Sequence, residues 1–188
     1  MALKGKRVAI ILDFTYEDLE VCYPQIRLQE EGAEVKHISL HKPGTKVTGK
    51  YGYPTLVDQH ISDANPADFD AVICPGGFAP DYYRRDAAMK DFVTNCFLKS
   101  KPVAAICHGP WMLCSARKSL NGGCPESRQP LCKGLKVTAF HAIKDDLENA
   151  GAEFVDAPVV VDRNVITSRT PKDLVPWTLA IIEALKYK

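Results

Sequence analysis

The segment AAICHGPWM, residues 104–112, places a cysteine and a histidine side by side at the end of an apolar run. A buried strand followed by a nucleophilic side chain, a glycine and a helix is typical of a nucleophile elbow. This sharp turn pushes one side chain out of the edge of a sheet, and Gly109 suits it because a larger residue would crowd the turn. We therefore predict that Cys107 is a nucleophile. The alternative is a buried cysteine that precedes an unrelated histidine, His108.

The helix predicted after this turn bears on the ionisation of Cys107. Unpaired N–H groups and the positive dipole end at a helix amino terminus favour a thiolate over a thiol. From an ordinary value near ~8.5, we expect the pKa of Cys107 to fall to ~5–6.

A second turn, Pro75-Gly76-Gly77, also ends an apolar run. The carboxyl ends of parallel strands meet at one edge of a doubly wound sheet, where ligands usually bind. Glycines at such a turn can turn backbone N–H groups towards an oxyanion. We therefore predict an oxyanion hole formed by the N–H groups of Gly77 and His108.

The elements that must position these turns alternate between short apolar strands and amphipathic helices. Continuous runs of branched apolar residues are typical of strands that are buried on both faces. The predicted strands are 7–12, 34–40, 69–74, 102–107, 135–140, 154–161 and 164–168, and the predicted helices are 17–31, 86–99, 109–117, 145–150 and 173–185. This alternation predicts an α/β fold, a flavodoxin-like doubly wound sandwich with a mostly parallel sheet and helices on both faces. The length suits a single domain, 1–188.

Composition excludes some classes of partner. The net charge of +1 gives no electrostatic reason to bind nucleic acid or an anionic membrane. The first apolar run is too short for a signal-peptide core or a membrane span.

Seven cysteines, an odd number, are typical of free thiols in a reducing compartment, so we expect a cytoplasmic protein. The spacing of His37, His41 and His60 resembles no metal site, and no metal or cofactor is expected.

Several longer stretches extend these two turns. They are YEDLEVCYP (16–24), VTGKYGYP (47–54), DAVICPGGFAPD (70–81), KPVAAICHGP (101–110), IKDDLENAGAEFVDAPVVVDRNVITSR (143–169) and LVPW (174–177). In combination they resemble the PfpI-type intracellular proteases of the DJ-1/PfpI family, within the class I glutamine amidotransferase-like superfamily. The resemblance covers nearly the whole chain, and GKYGYP and IKDD favour the PfpI branch.

The resemblance implies roles for four catalytic residues. Cys107 is the nucleophile, Glu20 of the first helix contacts its sulfur, and His108 is the catalytic histidine. The acidic partner of the histidine falls on Asp81 and comes from a neighbouring subunit, which implies a homodimer or a dimer-based hexamer. The family expectation at this position is a glutamate, and the alternative role for Asp81 is a helix cap or a solvated loop acid.

A carboxylate beside a thiolate would repel it. The conflict is resolved if Glu20 and Cys107 together hold one proton that sits on Glu20 and is donated to the sulfur. We therefore expect a raised pKa for Glu20.

Four residues are expected to line the substrate pocket: Glu17, Gly76, Phe140 and His141. The family often has a tyrosine or tryptophan followed by proline where this chain has Phe140-His141. Phe140 cannot donate a hydroxyl, so His141 either offers another polar group to the pocket or faces solvent.

The segment 118–134 is longer than the turn that the family usually has there. Its glycines, prolines and serines predict a surface loop. Cys124 and Cys132 within it either close a small disulfide or cap the pocket, and free thiols are favoured in a reducing cell.

Three functions fit a reactive Cys107. The first is a glutathione-independent glyoxalase (glyoxalase III), which converts methylglyoxal into lactate, with deglycase-like aldehyde detoxification as a related activity. The second is an intracellular cysteine peptidase or amidase that works through a thioester. The third is a non-enzymatic redox-stress sensor or chaperone in which Cys107 is oxidised. The expected partner is therefore a small aldehyde or a peptide substrate.

Overall fold

Strands and helices alternate along the chain in the computed structural model, which describes residues 1–119 and 128–187. The strands are β1 (Arg7–Leu12), β2 (Glu34–Ser39), β3 (Lys46–Thr48), β4 (Pro54–Leu56), β5 (Gln59–His60), β6 (Ala71–Cys74), β7 (Val103–Ile106), β8 (Arg117–Ser119), β9 (Arg128–Pro130), β10 (Lys136–Val137), β11 (Glu153–Phe154), β12 (Val159–Asp162) and β13 (Val165–Ser168). The helices are α1 (Asp18–Glu30), α2 (Ala79–Tyr83), α3 (Ala87–Leu98), α4 (Trp111–Ser115), α5 (Lys144–Asn149) and α6 (Leu174–Lys186).

The central sheet has seven strands in the order β12-β13-β7-β6-β1-β2-β5. Every neighbouring pair is parallel except β12 and β13. This arrangement confirms the mostly parallel α/β fold. The strand order reverses beside β1, since the chain goes to β2 on one side and later to β6 and β7 on the other. Ligands of doubly wound sheets bind in the crevice at such a reversal.

The middle of the sheet is covered on both faces. Strands β6, β7 and β13 are buried at every position, and β1 at all but its first residue. Helices α1 and α6 pack together on one face, whereas α3 packs against β6 and β7. Coverage on both faces explains why these strands are continuous apolar runs rather than alternating ones.

Some predicted elements are shorter than expected. The predicted strand 135–140 is reduced to β10, which pairs with β11 outside the central sheet. The predicted strand 154–161 is divided between β11 and β12, because Pro158 cannot donate to a strand ladder. The predicted helix 109–117 is reduced to α4, since Ala116 adopts an extended conformation and the chain continues into β8.

The prediction of a surface loop over 118–134 is wrong for part of that segment. Strand β8 pairs with β9 in an antiparallel arrangement, and Leu131 and Cys132 are completely buried. The apolar side chains that follow β9 are part of the core. The glycines and prolines that precede them in the sequence are typical of a surface loop and give no indication of this burial. Cys124 lies outside the described residues, so its pairing stays a prediction. Within the described ranges, no helix combines the length and apolar character that a membrane span requires.

Candidate active site

Cys107 stands in a strained turn directly after β7. Its φ of +60° lies in the left-handed region that residues other than glycine seldom adopt. Its N–H donates to the carbonyl oxygen of Ser168 (3.1 Å), and its own carbonyl accepts from the N–H of Phe140 (3.0 Å). These two hydrogen bonds hold the unfavourable conformation in place. The turn therefore presents the thiol at the carboxyl edge of the sheet.

Gly109 makes this turn possible. A Cβ atom at Gly109 would lie 2.0 Å from the carbonyl oxygen of Cys74 and 2.8 Å from that of Ile106. Both neighbours are backbone atoms and cannot rotate away. The sequence-based expectation that a side chain would crowd the turn is confirmed.

Glu20 reaches the thiol from the first turn of α1. Its N–H donates to the carboxylate of Glu17, the N-terminal cap of that helix (3.0 Å). One oxygen, Oε2, accepts the N–H of Gly76 (2.7 Å). The other oxygen, Oε1, is buried without a nitrogen or oxygen partner among the described residues, and the carboxyl group is within hydrogen-bonding reach of the Cys107 thiol.

Gly76 allows this close approach. A Cβ atom there would lie 2.7 Å from Cβ of Cys107 and 2.8 Å from Oε2 of Glu20. The predicted pocket residue Gly76 therefore lies beneath the thiol and the carboxyl group, and its missing side chain lets them meet.

Burial controls the protonation of Glu20. The side chain is completely buried, and this burial, together with the nearby charge of Glu17, raises the pKa of Glu20 to about 8. The N–H of Gly76 opposes the shift without cancelling it. Glu20 therefore keeps a proton at neutral pH, in agreement with the expected direction.

The expected fall in the pKa of Cys107 is wrong. Only 8% of the residue is exposed, and burial followed by repulsion from Glu20 raises the pKa of Cys107 to about 12. Helix α4 begins four positions after Cys107 and has only five residues, so its dipole end does not outweigh burial. Both groups are therefore protonated at neutral pH, so the expectation that the pair holds a single proton, on Glu20, is also wrong.

Two backbone N–H groups are directed at the sulfur of Cys107. They belong to Gly77 and His108, the two residues predicted to form an oxyanion hole, and both lower the pKa of the thiol. Gly77 has a φ of +73°, and a Cβ atom there would lie 2.4 Å from the carbonyl oxygen of Thr15. The two donors are thus fixed by backbone geometry and can stabilise negative charge next to the sulfur.

The ring of His108 lies beside the thiol. Its Nδ1 is 3.4 Å from Sγ of Cys107, and the rings of Trp111 and Phe140 lie 5.0 and 5.1 Å from it between centroids. Burial, and then the positive charge of Lys50, lower the pKa of His108. The imidazole is therefore neutral at pH 7 and able to accept a proton.

Asp81 does not join this group within one chain. It lies in α2 and forms an ion pair with Arg85, one helical turn later. Its contribution to a neighbouring subunit stays a prediction.

A cavity of about 430 Å³ opens above Cys107. Its lining residues are Thr15, Glu17, Lys50, Gly77, Phe78, Cys107, His108, Phe140, Thr170 and Pro171. Of the residues expected in the pocket, Glu17 and Phe140 line it. His141 is exposed and lines an adjoining cleft of about 940 Å³, which shares Phe140, Thr170 and Pro171 with the cavity.

Sequence reasoning missed Lys50, Thr170 and Pro171. Lys50 approaches the cavity from the β3–β4 hairpin, with its Nζ 4.0 Å from Oε1 of Glu17. The position of Lys50 in the GKYGYP stretch was the sequence feature from which its place at the site could have been predicted. Within residues 1–119 and 128–187, no three histidine, cysteine or acidic side chains converge as metal ligands would.

Comparisons with known proteins agree with this geometry. The model of the DJ-1/PfpI family matches residues 6–184. A deglycase of Pyrococcus horikoshii is 43% identical over 171 residues, which are 91% of this chain and 94% of that protein. A Bacillus subtilis protein named "Putative cysteine protease YraA" is 39% identical over 182 residues, 97% of this chain and 99% of its own.

A solved structure gives the same result at the level of the fold. It is a two-domain protein of Anabaena variabilis that contains DJ-1/ThiJ/PfpI-like and ferritin-like domains, with a TM-score of 0.87 and 38% identity. The match covers 96% of this chain and 48% of that longer chain. With an elbow cysteine, a buried glutamate and a family match over nearly its whole length, the chain belongs to the DJ-1/PfpI family.

Proposed function

We propose that the protein is a glutathione-independent glyoxalase that converts 2-oxoaldehydes such as methylglyoxal into 2-hydroxy acids such as lactate. The observation that carries this proposal is the buried Glu20 at the sulfur of Cys107, with a pKa of about 8. Conversion of an oxoaldehyde into a hydroxy acid requires a proton to move between two adjacent carbons. A general base is most effective when its pKa is near the working pH.

Attack by Cys107 begins the reaction. The sulfur adds to the aldehyde carbon, a C–S bond forms, and the carbonyl oxygen becomes negatively charged. The N–H groups of Gly77 and His108, which are directed at the neighbouring sulfur, then donate to that oxygen and stabilise its charge. The thiol proton passes through the neutral ring of His108, 3.4 Å away, to the oxygen and gives a hemithioacetal.

Glu20 then moves a proton within the bound substrate. Its ionised form removes the hydrogen from the carbon bonded to sulfur, which gives an enediolate. The same carboxyl group returns the proton to the neighbouring carbon, and the hydroxyl proton moves to the enediolate oxygen, which gives the thioester of the hydroxy acid. Water hydrolyses the thioester, and the hydroxy acid leaves as the Cys107 thiol is restored.

The size of the cavity favours a small substrate. About 430 Å³ holds a three-carbon oxoaldehyde with room to spare. The name of the Pyrococcus horikoshii relative, a deglycase, fits the same chemistry, because an enzyme that removes free aldehyde also draws back reversible glycation. The cysteines of the described residues are all free thiols, as in the reducing cytoplasm in which we propose that the protein acts.

A cysteine peptidase is the second candidate. It is favoured by the Cys107–His108 contact, since a thiol beside a neutral imidazole is the usual arrangement for attack on an amide. The larger cleft that adjoins the cavity offers room for a peptide, and the name of the Bacillus subtilis relative refers to a cysteine protease.

The test offers both substrates to the purified protein. Methylglyoxal is supplied with enzymatic detection of lactate, and a fluorogenic peptide library is supplied in parallel. We expect lactate and no peptide cleavage. Cleavage that is lost in the Cys107→Ala variant, without lactate, would favour the peptidase. Neither product, with rapid formation of a Cys107 sulfinate under peroxide, would favour a sensor.

A further inference from the structure

Two cysteines outside the active site form a pair. Cys114 lies in α4, the helix that follows the elbow, and Cys132 follows β9. Their thiols are close enough to influence each other's ionisation. The N–H of Cys132 donates to the carbonyl of Leu113 (3.3 Å), and that of Leu131 donates to the carbonyl of Ala116 (3.0 Å). The backbone thus joins the two segments on both sides of the thiol pair.

The two thiols differ in access and in ionisation. Cys114 is half-buried, and its Sγ also contacts the carbonyl oxygen of Asp146 (3.8 Å), whereas Cys132 is completely buried. The interaction between the two thiols lowers the pKa of Cys132 and raises the pKa of Cys114. The positive charges of Arg84 and Lys118 lie near Cys114 and Cys132 respectively. The lowered pKa makes Cys132 the better nucleophile of the two, whereas Cys114 is the thiol that an oxidant can reach from solvent.

We propose that Cys114 and Cys132 are a redox-modification site that a peroxide converts into a disulfide. The sulfur of Cys114 attacks one peroxide oxygen, the O–O bond breaks, and the thiol proton leaves with the other oxygen as water. The sulfur of Cys132 then attacks the sulfenic acid on Cys114, the S–O bond breaks, and a second water leaves. Two thiols and one peroxide thus give one disulfide and two waters when the oxidant is hydrogen peroxide.

The geometry supports this pairing over others. The N–H of Cys132 lies 3.3 Å from the carbonyl oxygen of Leu113, the residue before Cys114, so the backbones that carry the two thiols are already adjacent, as a disulfide requires. The disulfide would tie α4 to the segment after β9 and would restrict the unfolded chain. This proposal does not depend on the reaction at Cys107.

Trypsin separates the relevant cysteines. Cleavage after Lys99, Arg117, Lys118, Arg128 and Lys133 places Cys114, Cys124 and Cys132 on the peptides 100–117, 119–128 and 129–133. Peptide 100–117 also contains Cys107, so the experiment uses the Cys107→Ser variant, in which Cys114 is the only cysteine of that peptide. The protein is treated with hydrogen peroxide, alkylated with iodoacetamide and digested without reduction.

We expect the peptides 100–117 and 129–133 to be joined, at a mass two hydrogens below their sum, and to separate on addition of dithiothreitol. The oxidised protein should unfold at a higher temperature than the reduced protein. A second substitution, Cys114→Ser or Cys132→Ser, should abolish both the cross-linked peptide and the rise in unfolding temperature. If the buried hydroxyl of Cys132→Ser prevents folding, Cys132→Ala is used in its place. The proposal is overturned if peptide 129–133 is joined to 119–128. It is also overturned if Cys114 and Cys132 stay open to alkylation at a peroxide concentration that oxidises Cys107 in the parent protein.

Discussion

Glu20 is protonated because of the position at which α1 begins. A carboxyl group in the first turn of an exposed helix is normally ionised and stabilised there. Here the turn lies beneath the elbow, and the side chain is buried against Gly76 and Cys107. The uncharged form is favoured because burial removes the water that would solvate the carboxylate. The protein thereby keeps a proton donor and acceptor beside Cys107, the proposed nucleophile.

This raised pKa makes stability depend on pH. Between the ordinary value of 4.5 and the folded value of about 8, the folded protein holds a proton that the unfolded chain has released. The contribution of Glu20 is therefore fully present below pH 4.5 and is lost as pH rises to about 8, by up to about 1.4 kcal/mol per pH unit. Urea unfolding of the parent and of Glu20→Gln at several pH values measures this slope.

We expect the parent to lose stability relative to Glu20→Gln as pH rises through this window. Comparison with the variant cancels the contributions of His37 and His108, whose lowered pKa values act in the opposite direction. Parallel curves for the two proteins would show that Glu20 is ionised throughout.

Single residues were predictable where a local pattern reveals them. Cys107 and Gly109 follow from the strand, turn and helix around them, and Glu20 from the resemblance. The pKa of Cys107 was not predictable, because burial depends on α1 and on the Pro75–Gly77 turn, which are distant in sequence. A helix dipole is visible in the sequence, but the desolvation that outweighs it is not.

At the scale of elements, the elbow depends on how closely β7 and β6 approach at their carboxyl ends. Gly109 has no positive φ, so its requirement is purely steric, since a Cβ atom there would lie 2.0 Å from the carbonyl oxygen of Cys74. Gly109→Ala should destabilise the fold by about 3 kcal/mol or more. Gly134 has a φ of +73° and open space around it. Gly134→Ala should therefore destabilise the fold only by the energy of placing an alanine in the left-handed region, roughly 1–2 kcal/mol.

Chemical denaturation of the two alanine variants separates the two effects. The steric account requires Gly109→Ala to be clearly less stable than Gly134→Ala. Equal losses would mean that the backbone at the elbow relaxes freely.

The strands of the central sheet were predictable because burial on both faces leaves continuous apolar runs. The segment 135–140 was not, since it is equally apolar but lies outside the sheet. There the N–H of Phe140 binds the carbonyl of Cys107 instead of joining a ladder. Long-range contacts of this kind leave no periodic signal in the sequence.

At the scale of the whole molecule, we propose that the site is completed by a second copy of the chain. Asp81 pairs with Arg85 inside one chain, so a purely structural role predicts that Asp81→Lys and Arg85→Ala have similar effects. The shared-site account predicts that only Asp81→Lys lowers activity, while both variants stay folded.

Subunit exchange gives a sharper test of this prediction. Asp81→Lys protein mixed with Cys107→Ala protein should regain part of the activity, because a mixed pair contains one intact site. Exchange is verified by native mass spectrometry. The absence of any recovery in exchanged oligomers would contradict the shared site.

The central claim is that Glu20 moves a proton on a substrate bound to Cys107, and lactate formation from methylglyoxal by matched variants tests it most directly. Glu20→Gln keeps the shape and a hydrogen-bond donor but cannot take up the proton. We predict that the rate of Glu20→Gln is roughly a hundredfold to ten-thousandfold lower than that of the parent and that Cys107→Ala is inactive. The control variant is Cys22→Ala, whose thiol lies on α1 outside the cavity, and its rate should match that of the parent. The rate of the parent should rise with pH through about 8, as the carboxylate forms, and this rise should vanish in Glu20→Gln. Lactate formation by Glu20→Gln at the parent rate would contradict the account.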